Sequence, residues 1–124
     1  MAQILLVDDD ENFRLMLKMT LKAMGHEVSE ATNGDKAWAK FNAEPTDLII
    51  LDLIMPDKEG LETIQLFRKN RISVKILAIS GGGRLNVRDI LGVALQFGAD
   101  AILAKPFSNQ ELMVVLDRLL APLK

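Results

Sequence analysis

The sequence predicts an α/β domain built on a doubly wound, five-stranded parallel sheet with helices on both faces. Five short apolar runs alternate with five segments of helical periodicity, which is typical of parallel sheets with right-handed crossovers. Most of the runs are polar only at their ends, as expected for strands covered on both faces. The chain has 124 residues, of which 49% are hydrophobic, so we expect one domain over residues 1–124.

The apolar runs define the expected strands. They cover residues 4–7, 26–31, 48–51, 74–79 and 101–104. The second run is the most polar and fits an edge strand. The strand order 2-1-3-4-5 would place the first and third strands on either side of the point where the connections reverse direction. Ligands of such sheets bind at that point, beyond the carboxyl ends of the strands.

The segments between the runs carry helical spacing. In the first of them the apolar positions are Phe13, Met16, Leu17, Leu21 and Met24. Asp10 precedes this segment and is expected to cap the helix. The last helix has the clearest start, because Ser108 and Glu111 form a capping box.

Composition excludes several classes of protein. Cysteine is absent, so disulfides and thiolate metal sites are ruled out. The formal charge is −2 and basic residues form no run, which argues against direct nucleic-acid binding. No apolar stretch approaches the roughly 20 residues of a membrane helix, and the amino terminus lacks the pattern of a signal peptide. We therefore expect a cytoplasmic protein without a membrane partner.

Chemically active side chains follow four of the five strands. They are Asp8, Asp9 and Asp10 after the first strand, Asp52 after the third, Ser80 after the fourth and Lys105 after the fifth. Clustered carboxylates repel one another, and a hard divalent cation removes that repulsion. Oxygen ligands without histidine or cysteine favour Mg²⁺ or Mn²⁺ over zinc.

This set of side chains fits phosphoryl transfer to a carboxylate. A carboxylate can attack phosphorus and form an acyl phosphate. Such transfer depends mainly on positioning and on neutralising the equatorial oxygens. The metal ion, the Lys105 ammonium and the Ser80 hydroxyl could each serve one oxygen.

Five motifs in this order resemble response-regulator receiver domains of two-component signalling, which have a flavodoxin-like fold. The motifs are Leu6-Val7-Asp8-Asp9, Asp52-Leu53-Ile54-Met55-Pro56 with Gly60, Ile79-Ser80-Gly81, Gly98-Ala99-Asp100-Ala101 and Lys105-Pro106-Phe107. The resemblance covers the chain from Ile4 to Leu120, and the strand order 2-1-3-4-5 is also that of the family.

The resemblance implies a role for each matching residue. Asp52 would be the phosphoacceptor, Ser80 would sense the phosphoryl group and Lys105 would pair with it. The metal ligands would be Asp8 (largely through water), Asp9, Asp52 and the backbone carbonyl of Ile54. A cis peptide bond is expected at Lys105-Pro106. The donor would be the phosphohistidine of a sensor kinase or of a histidine phosphotransfer protein.

The chain departs from the usual family pattern at three positions. Ile102 stands where an aromatic residue often rotates together with the sensing hydroxyl. Ile54 and Gly82 stand where polar side chains often contact the phosphate or an attacking water. We therefore expect slow self-dephosphorylation.

The leading hypothesis is a phosphorylation-switched binding module that turns over no separate substrate and changes the face formed by the fourth helix and fifth strand. It would be a monomer or weak dimer that acts on a downstream protein or on an output domain. One alternative is a Mg²⁺-dependent aspartyl phosphatase or phosphomutase, which would want a second acid where Ile54 stands. Another is a scaffold that works without phosphorylation.

Overall fold

The computed structural model describes residues 2–53, 59–81 and 87–121 and shows alternating strands and helices. The strands are β1 (Gln3–Val7), β2 (Glu27–Ala31), β3 (Leu48–Asp52), β4 (Lys75–Gly81) and β5 (Ala101–Lys105). The helices are α1 (Glu11–Ala23), α2 (Gly34–Ala43), α3 (Glu59–Lys69), α4 (Val87–Phe97) and α5 (Asn109–Leu120). All strand pairs are parallel and the order is β2-β1-β3-β4-β5, which confirms the predicted fold class.

Each face of the sheet buries its own apolar cluster, because successive side chains of a strand point to opposite faces. One cluster joins the sheet to α2, α3 and α4, and it includes Leu5, Phe41, Ile49, Ile64 and Phe67. The other joins the sheet to α1 and α5, and it includes Leu6, Leu17, Ile50, Leu112 and Leu116. The sheet is therefore a middle layer, as the sequence predicts.

The two edge strands differ from the buried centre. The edge position of β2 is confirmed, and its residues before Ala31 are half-buried or exposed. Strand β5 forms the other edge, where Ala104 is exposed. Both faces of β5 nevertheless pack against the apolar clusters, because Ile102 joins the α2–α4 side and Leu103 joins the α1–α5 side. The edge position agrees with the predicted strand order.

Strand β4 is longer at its carboxyl end than its apolar run. Ser80 pairs with Ala104 and Gly81 pairs with Lys105, so the ladder continues past Ile79. Ser80 is consequently part of the sheet and not a loop residue, and its side chain is fully buried.

Helix caps fix the entry of the chain into α1 and α5. The Asp10 carboxylate accepts hydrogen bonds from the amides of Asn12 and Phe13, as predicted for a capping residue. The capping box at α5 is also present, with Ser108 and Glu111 each accepting from the other's amide at 3.0 Å. Both caps lie at the carboxyl edge of the sheet, so they orient the segments that carry the predicted site.

Candidate phosphoacceptor site

The predicted acidic cluster is formed at the carboxyl ends of β1 and β3. Asp8, Asp9 and Asp52 each place one carboxylate oxygen within 4.8 Å of the others. Asp8 is fully buried, Asp52 is 5% exposed and Asp9 is exposed. Two carboxylates are thus held against the protein interior, and a third reaches the same point from the solvent side.

Lys105 completes the cluster from the opposite side. It is the last residue of β5, and its Nζ lies 3.1 Å from Asp52 Oδ2 and 3.4 Å from Asp8 Oδ2. The Lys105–Pro106 peptide bond is cis, as the resemblance implies. A lysine two strands away from Asp52 therefore bridges the two buried acids.

The buried position of Asp8 has an electrostatic consequence. Burial and, to a smaller extent, the nearby Asp52 carboxylate raise the pKa of the Asp8 carboxyl, whereas the Asp10 amide and Lys105 lower it. Together they leave this pKa at about 6. The Asp10 amide donates to Asp8 Oδ1 at 2.8 Å. This carboxylate is therefore poorly stabilised in its ionised form by protein groups alone.

Ser80 brings a hydroxyl to the same edge. It lies on β4, one residue beyond the partner of Asp52 in the β3–β4 ladder. Its Oγ is buried and has no hydrogen-bond partner within the described parts of the chain. A buried hydroxyl without a partner costs free energy, so an incoming acceptor oxygen would be favoured there.

Two glycines allow close backbone approach around these groups. A Cβ on Gly60 would lie 2.6 Å from Leu53 Cα and 2.8 Å from the Asp52 carbonyl oxygen, so the first turn of α3 can rest against this segment. A Cβ on Gly81 would collide with the Lys105 side chain. The sequence motifs contain both glycines, but only the structure shows what each one admits.

Three positions remain from the predicted departures and ligands. Ile54, whose carbonyl the resemblance implies as a metal ligand, and Gly82 both lie outside the described residues. Ile102 is described, and it is half-buried against the apolar cluster on the α2–α4 face.

Sequence reasoning missed two supporting side chains. The ring of Phe13 lies under the Lys105 ammonium, 3.6 Å from Nζ to the ring centroid. Arg14 donates to the carbonyl oxygen of Asp8 at 2.8 Å and to Glu30 at 3.0 Å. Helical spacing predicts only a packing role for Phe13, and no motif in the sequence indicates either contact.

Comparison with known proteins identifies the family. The model of the family described as "response regulator receiver domain" matches residues 4–117. This chain belongs to the response-regulator receiver family. Receiver domains are the phosphoacceptor switches of two-component signalling, and the fold and acidic pocket described above agree with that membership.

Relatives of this receiver domain include longer transcription regulators. It is 38% identical over 120 residues to the DNA-binding transcriptional regulator NtrC of Azospirillum brasilense, covering 96% of this chain and 24% of NtrC. It is 34% identical over 109 residues to the alkaline phosphatase synthesis regulator PhoP of Bacillus subtilis, covering 88% of this chain and 44% of PhoP. The chain thus spans less than half the length of these two relatives.

A solved structure supports the same assignment. The receiver domain of NtrX from Brucella abortus superimposes with a TM-score of 0.86 at 29% identity, covering 94% of this chain and 97% of that domain. In the parts of this receiver that the structure describes, no helix is long and apolar enough to cross a membrane.

Proposed function

We propose that Asp52 is the residue of this receiver that accepts the phosphoryl group. The observation that carries the proposal is the position of its carboxylate, 3.1 Å from the Lys105 ammonium and inside the three-carboxylate cluster. A carboxylate oxygen of Asp52 would attack the phosphorus of a donor phosphohistidine. The new O–P bond forms as the bond from phosphorus to the imidazole nitrogen breaks, and the released imidazole takes a proton from solvent.

Asp8, Asp9 and Asp52 supply the donor set that Mg²⁺ or Mn²⁺ prefers, and the carbonyl of Ile54 is proposed as a further ligand. The raised pKa of Asp8 supports the fit, because it shows that the protein groups around Asp8 and Asp52 do not fully balance the negative charge of the two carboxylates. When bound, the ion would neutralise a phosphoryl oxygen and the acids around it. Asp8 and Asp9 would then serve as ligands while Asp52 acts as the nucleophile.

Lys105 and Ser80 are proposed to receive the transferred group. The Lys105 ammonium can neutralise one phosphoryl oxygen as a point charge, and the Ser80 hydroxyl, which has no partner among the described residues, can donate to another. Movement of Ser80 towards that oxygen would be transmitted along β4 to the face formed by α4 and β5. We propose this face as the one that changes for partner binding.

We further propose that this receiver acts as a switch and not as an enzyme on a separate substrate. Its donor would be a sensor histidine kinase or a histidine phosphotransfer protein in the cytoplasm. Its output would be a downstream protein or an output domain, as the transcriptional roles of the named relatives suggest. The chain itself would be a monomer or weak dimer and would not bind nucleic acid directly.

The decisive experiment is mass spectrometry of the intact protein after incubation with acetyl phosphate and Mg²⁺. The wild type should gain the mass of one phosphoryl group, and Asp52→Asn should gain none. Asp35→Asn is a suitable control, because Asp35 lies in the first turn of α2 and outside the cluster. A wild type that gains no mass with Mg²⁺ would favour a scaffold that works without phosphorylation.

The rival phosphatase function has its own readout. Phosphomonoesters are added in excess and released phosphate is followed over time. A switch that turns over no separate substrate should release no phosphate beyond its own slow dephosphorylation, whereas rapid sustained release would favour the enzyme.

The apolar Ile54 and the bare Gly82 support a long-lived phospho-form. Its decay is measured by repeating the mass spectrum after the donor is removed. Loss of the phosphoryl group within seconds at neutral pH would contradict this part of the proposal.

A further inference from the structure

The Lys105 ammonium has three groups around it. Two are the Asp8 and Asp52 carboxylates at 3.4 and 3.1 Å, and the third is the face of the Phe13 ring at 3.6 Å from Nζ to the centroid. An ammonium has three N–H donors and no acceptor. Two carboxylates and an aromatic face therefore contact the ammonium of a side chain that is only 20% exposed.

The Phe13 ring is itself held in place from two directions. The Asp10 carboxylate caps the Phe13 amide at 3.1 Å, which fixes the first turn of α1. The ring meets Phe107 edge to face, with centroids 6.2 Å apart and planes at 86°. Both rings pack against the apolar cluster on the α1–α5 face. The aromatic face is thus a fixed surface against which the flexible lysine rests.

We propose that Phe13 is a positioning residue for phosphoryl transfer, because its ring face holds the Lys105 ammonium over the acidic cluster. The inference rests on the proposed role of Asp52 and extends it to a residue outside the acids, lysine and serine of the proposed site. A lysine side chain has a flexible four-carbon stem and is well solvated when it extends into water. The negative face of an aromatic ring attracts a cation, most strongly where water is excluded. Phe13 therefore keeps the charge where phosphoryl oxygens arrive.

The test separates the electrostatic contribution of the ring from its shape. Mono-, di- and trifluorinated phenylalanine at position 13 keep the packing nearly constant while progressively weakening the negative charge of the ring face. The phosphorylation rate with acetyl phosphate at saturating Mg²⁺ should fall stepwise along this series. The fall should reach about fivefold in Phe13→Leu, and Phe13→Tyr should restore most of the rate.

Phe41 provides a matched control. It meets Phe67 edge to face at 5.2 Å and 80°, on the opposite side of the sheet and away from any cation contact in the described structure. The same fluorinated series at position 41 should leave the phosphorylation rate unchanged. A fall of equal size at both positions would show that the ring at position 13 acts only through packing, and this would overturn the inference.

A spectroscopic readout tests the contact directly in the unphosphorylated protein. Protons above a ring face are shielded, so the terminal methylene protons of Lys105 should resonate upfield, and Phe13→Leu should remove the shift. Mg²⁺ affinity should change less than about twofold, because Phe13 lies against the ammonium and not against the ligands. An unshifted Lys105 in the wild type overturns the inference.

The two proposals fail in different ways. Absence of a phosphoryl mass gain in the wild type overturns the role of Asp52. A normal mass gain combined with a flat fluorination series at position 13 overturns only the role of Phe13.

Discussion

The two ends of the parallel sheet differ in how well their polar side chains and carbonyls are paired. At the amino end, Arg68 donates to the carbonyls of Gly98, Ile72 and Val74 and pairs with Asp100, all within 2.9 Å. At the carboxyl end, buried acids face each other and a buried serine lacks a partner among the described residues.

The acids at the two ends show the difference most clearly. Asp100 accepts from the amide of Ile76 at 2.8 Å, and Asp47 accepts from the amide of Gln3 at 2.9 Å, so each amino-end acid closes a junction between strands. At the carboxyl end Asp8 and Asp52 share one ammonium. The amino end therefore stabilises the fold, whereas the carboxyl end keeps polar groups available for a ligand.

The largest expected loss of stability comes from breaking the amino-end junction. Arg68→Ala removes one donor group that satisfies three carbonyls and a carboxylate, so the free energy of unfolding should fall by about 3 kcal/mol. Urea denaturation followed by circular dichroism measures this change. Lys69→Ala, at the exposed next position of the helix, is the control and should change stability little. Similar urea midpoints for both variants would contradict the stabilising role of these contacts, which we call the Arg68 clamp.

The carboxyl end should respond in the opposite direction. Asp8→Asn removes a buried charge but keeps an acceptor for the Asp10 amide. Without Mg²⁺ at pH 8, the variant should be more stable than wild type by about 2 kcal/mol. The folded pKa of Asp8 is raised from 3.8 to about 6, so this group's contribution to stability is present below the lower value and is lost as pH rises through the higher one.

The pH dependence supplies the control for Asp8→Asn. Below pH 4 the Asp8 carboxyl is protonated in the folded wild type, so the difference between the two proteins should disappear. Equal stability of both at pH 8 would show that the charge of Asp8 is well compensated. In either case the variant should bind Mg²⁺ more weakly.

Metal affinity should depend on the same proton. Mg²⁺ binding requires the ionised Asp8 carboxylate, so the apparent affinity should rise by about tenfold per pH unit up to a pH of about 6 and then level off. Isothermal titration calorimetry across this range measures it. Asp10→Asn is a matched control, because Asp10 is adjacent yet serves as a helix cap, and it should keep the slope. If the Mg²⁺ affinity of the wild type did not change with pH over this range, protonation of Asp8 would not control metal binding.

The same contrast explains what could be predicted from the sequence. The acidic residues, the serine and the lysine at the strand ends could be read from the sequence, and the strand order came with the resemblance to the receiver fold, which brings these strand ends to one edge. The register of strand pairing was harder to predict from the sequence. The extension of β4 through Ser80 depends on its pairing with β5, and a single run of apolar residues does not record its partners.

Contacts between distant side chains were the least predictable. Phe13 has the spacing of a packing residue, and its position under Lys105 follows from the meeting of α1 with the end of β5. Arg68 looks like a surface cation of a helix end, yet it satisfies three carbonyls in two connections, two of them between α3 and β4 and one between α4 and β5. These contacts depend on tertiary geometry, so neither composition nor periodicity reveals them.

The smallest effect on stability is expected for Ser80, the buried serine at the carboxyl end of the sheet. Ser80→Ala removes a hydroxyl that has no partner in the described structure, so the free energy of unfolding should change by less than about 0.5 kcal/mol or rise slightly. Ser108→Ala is the matched serine control, because that hydroxyl caps α5 through the Glu111 amide, and it should cost about 1 kcal/mol.

Phosphorylation of the same two variants tests whether the Ser80 hydroxyl senses the phosphoryl group. With acetyl phosphate and Mg²⁺, both variants should gain a phosphoryl group at Asp52, but only Ser108→Ala should show the wild-type chemical-shift changes on β4 and β5. If Ser80→Ala reproduces the full wild-type response, the buried hydroxyl does not sense the phosphoryl group. If Ser80→Ala instead destabilises the fold as much as Ser108→Ala, the Ser80 hydroxyl has a structural partner. The polar groups at the carboxyl end would then be less available to a ligand, and the two ends of the sheet would differ less than we propose.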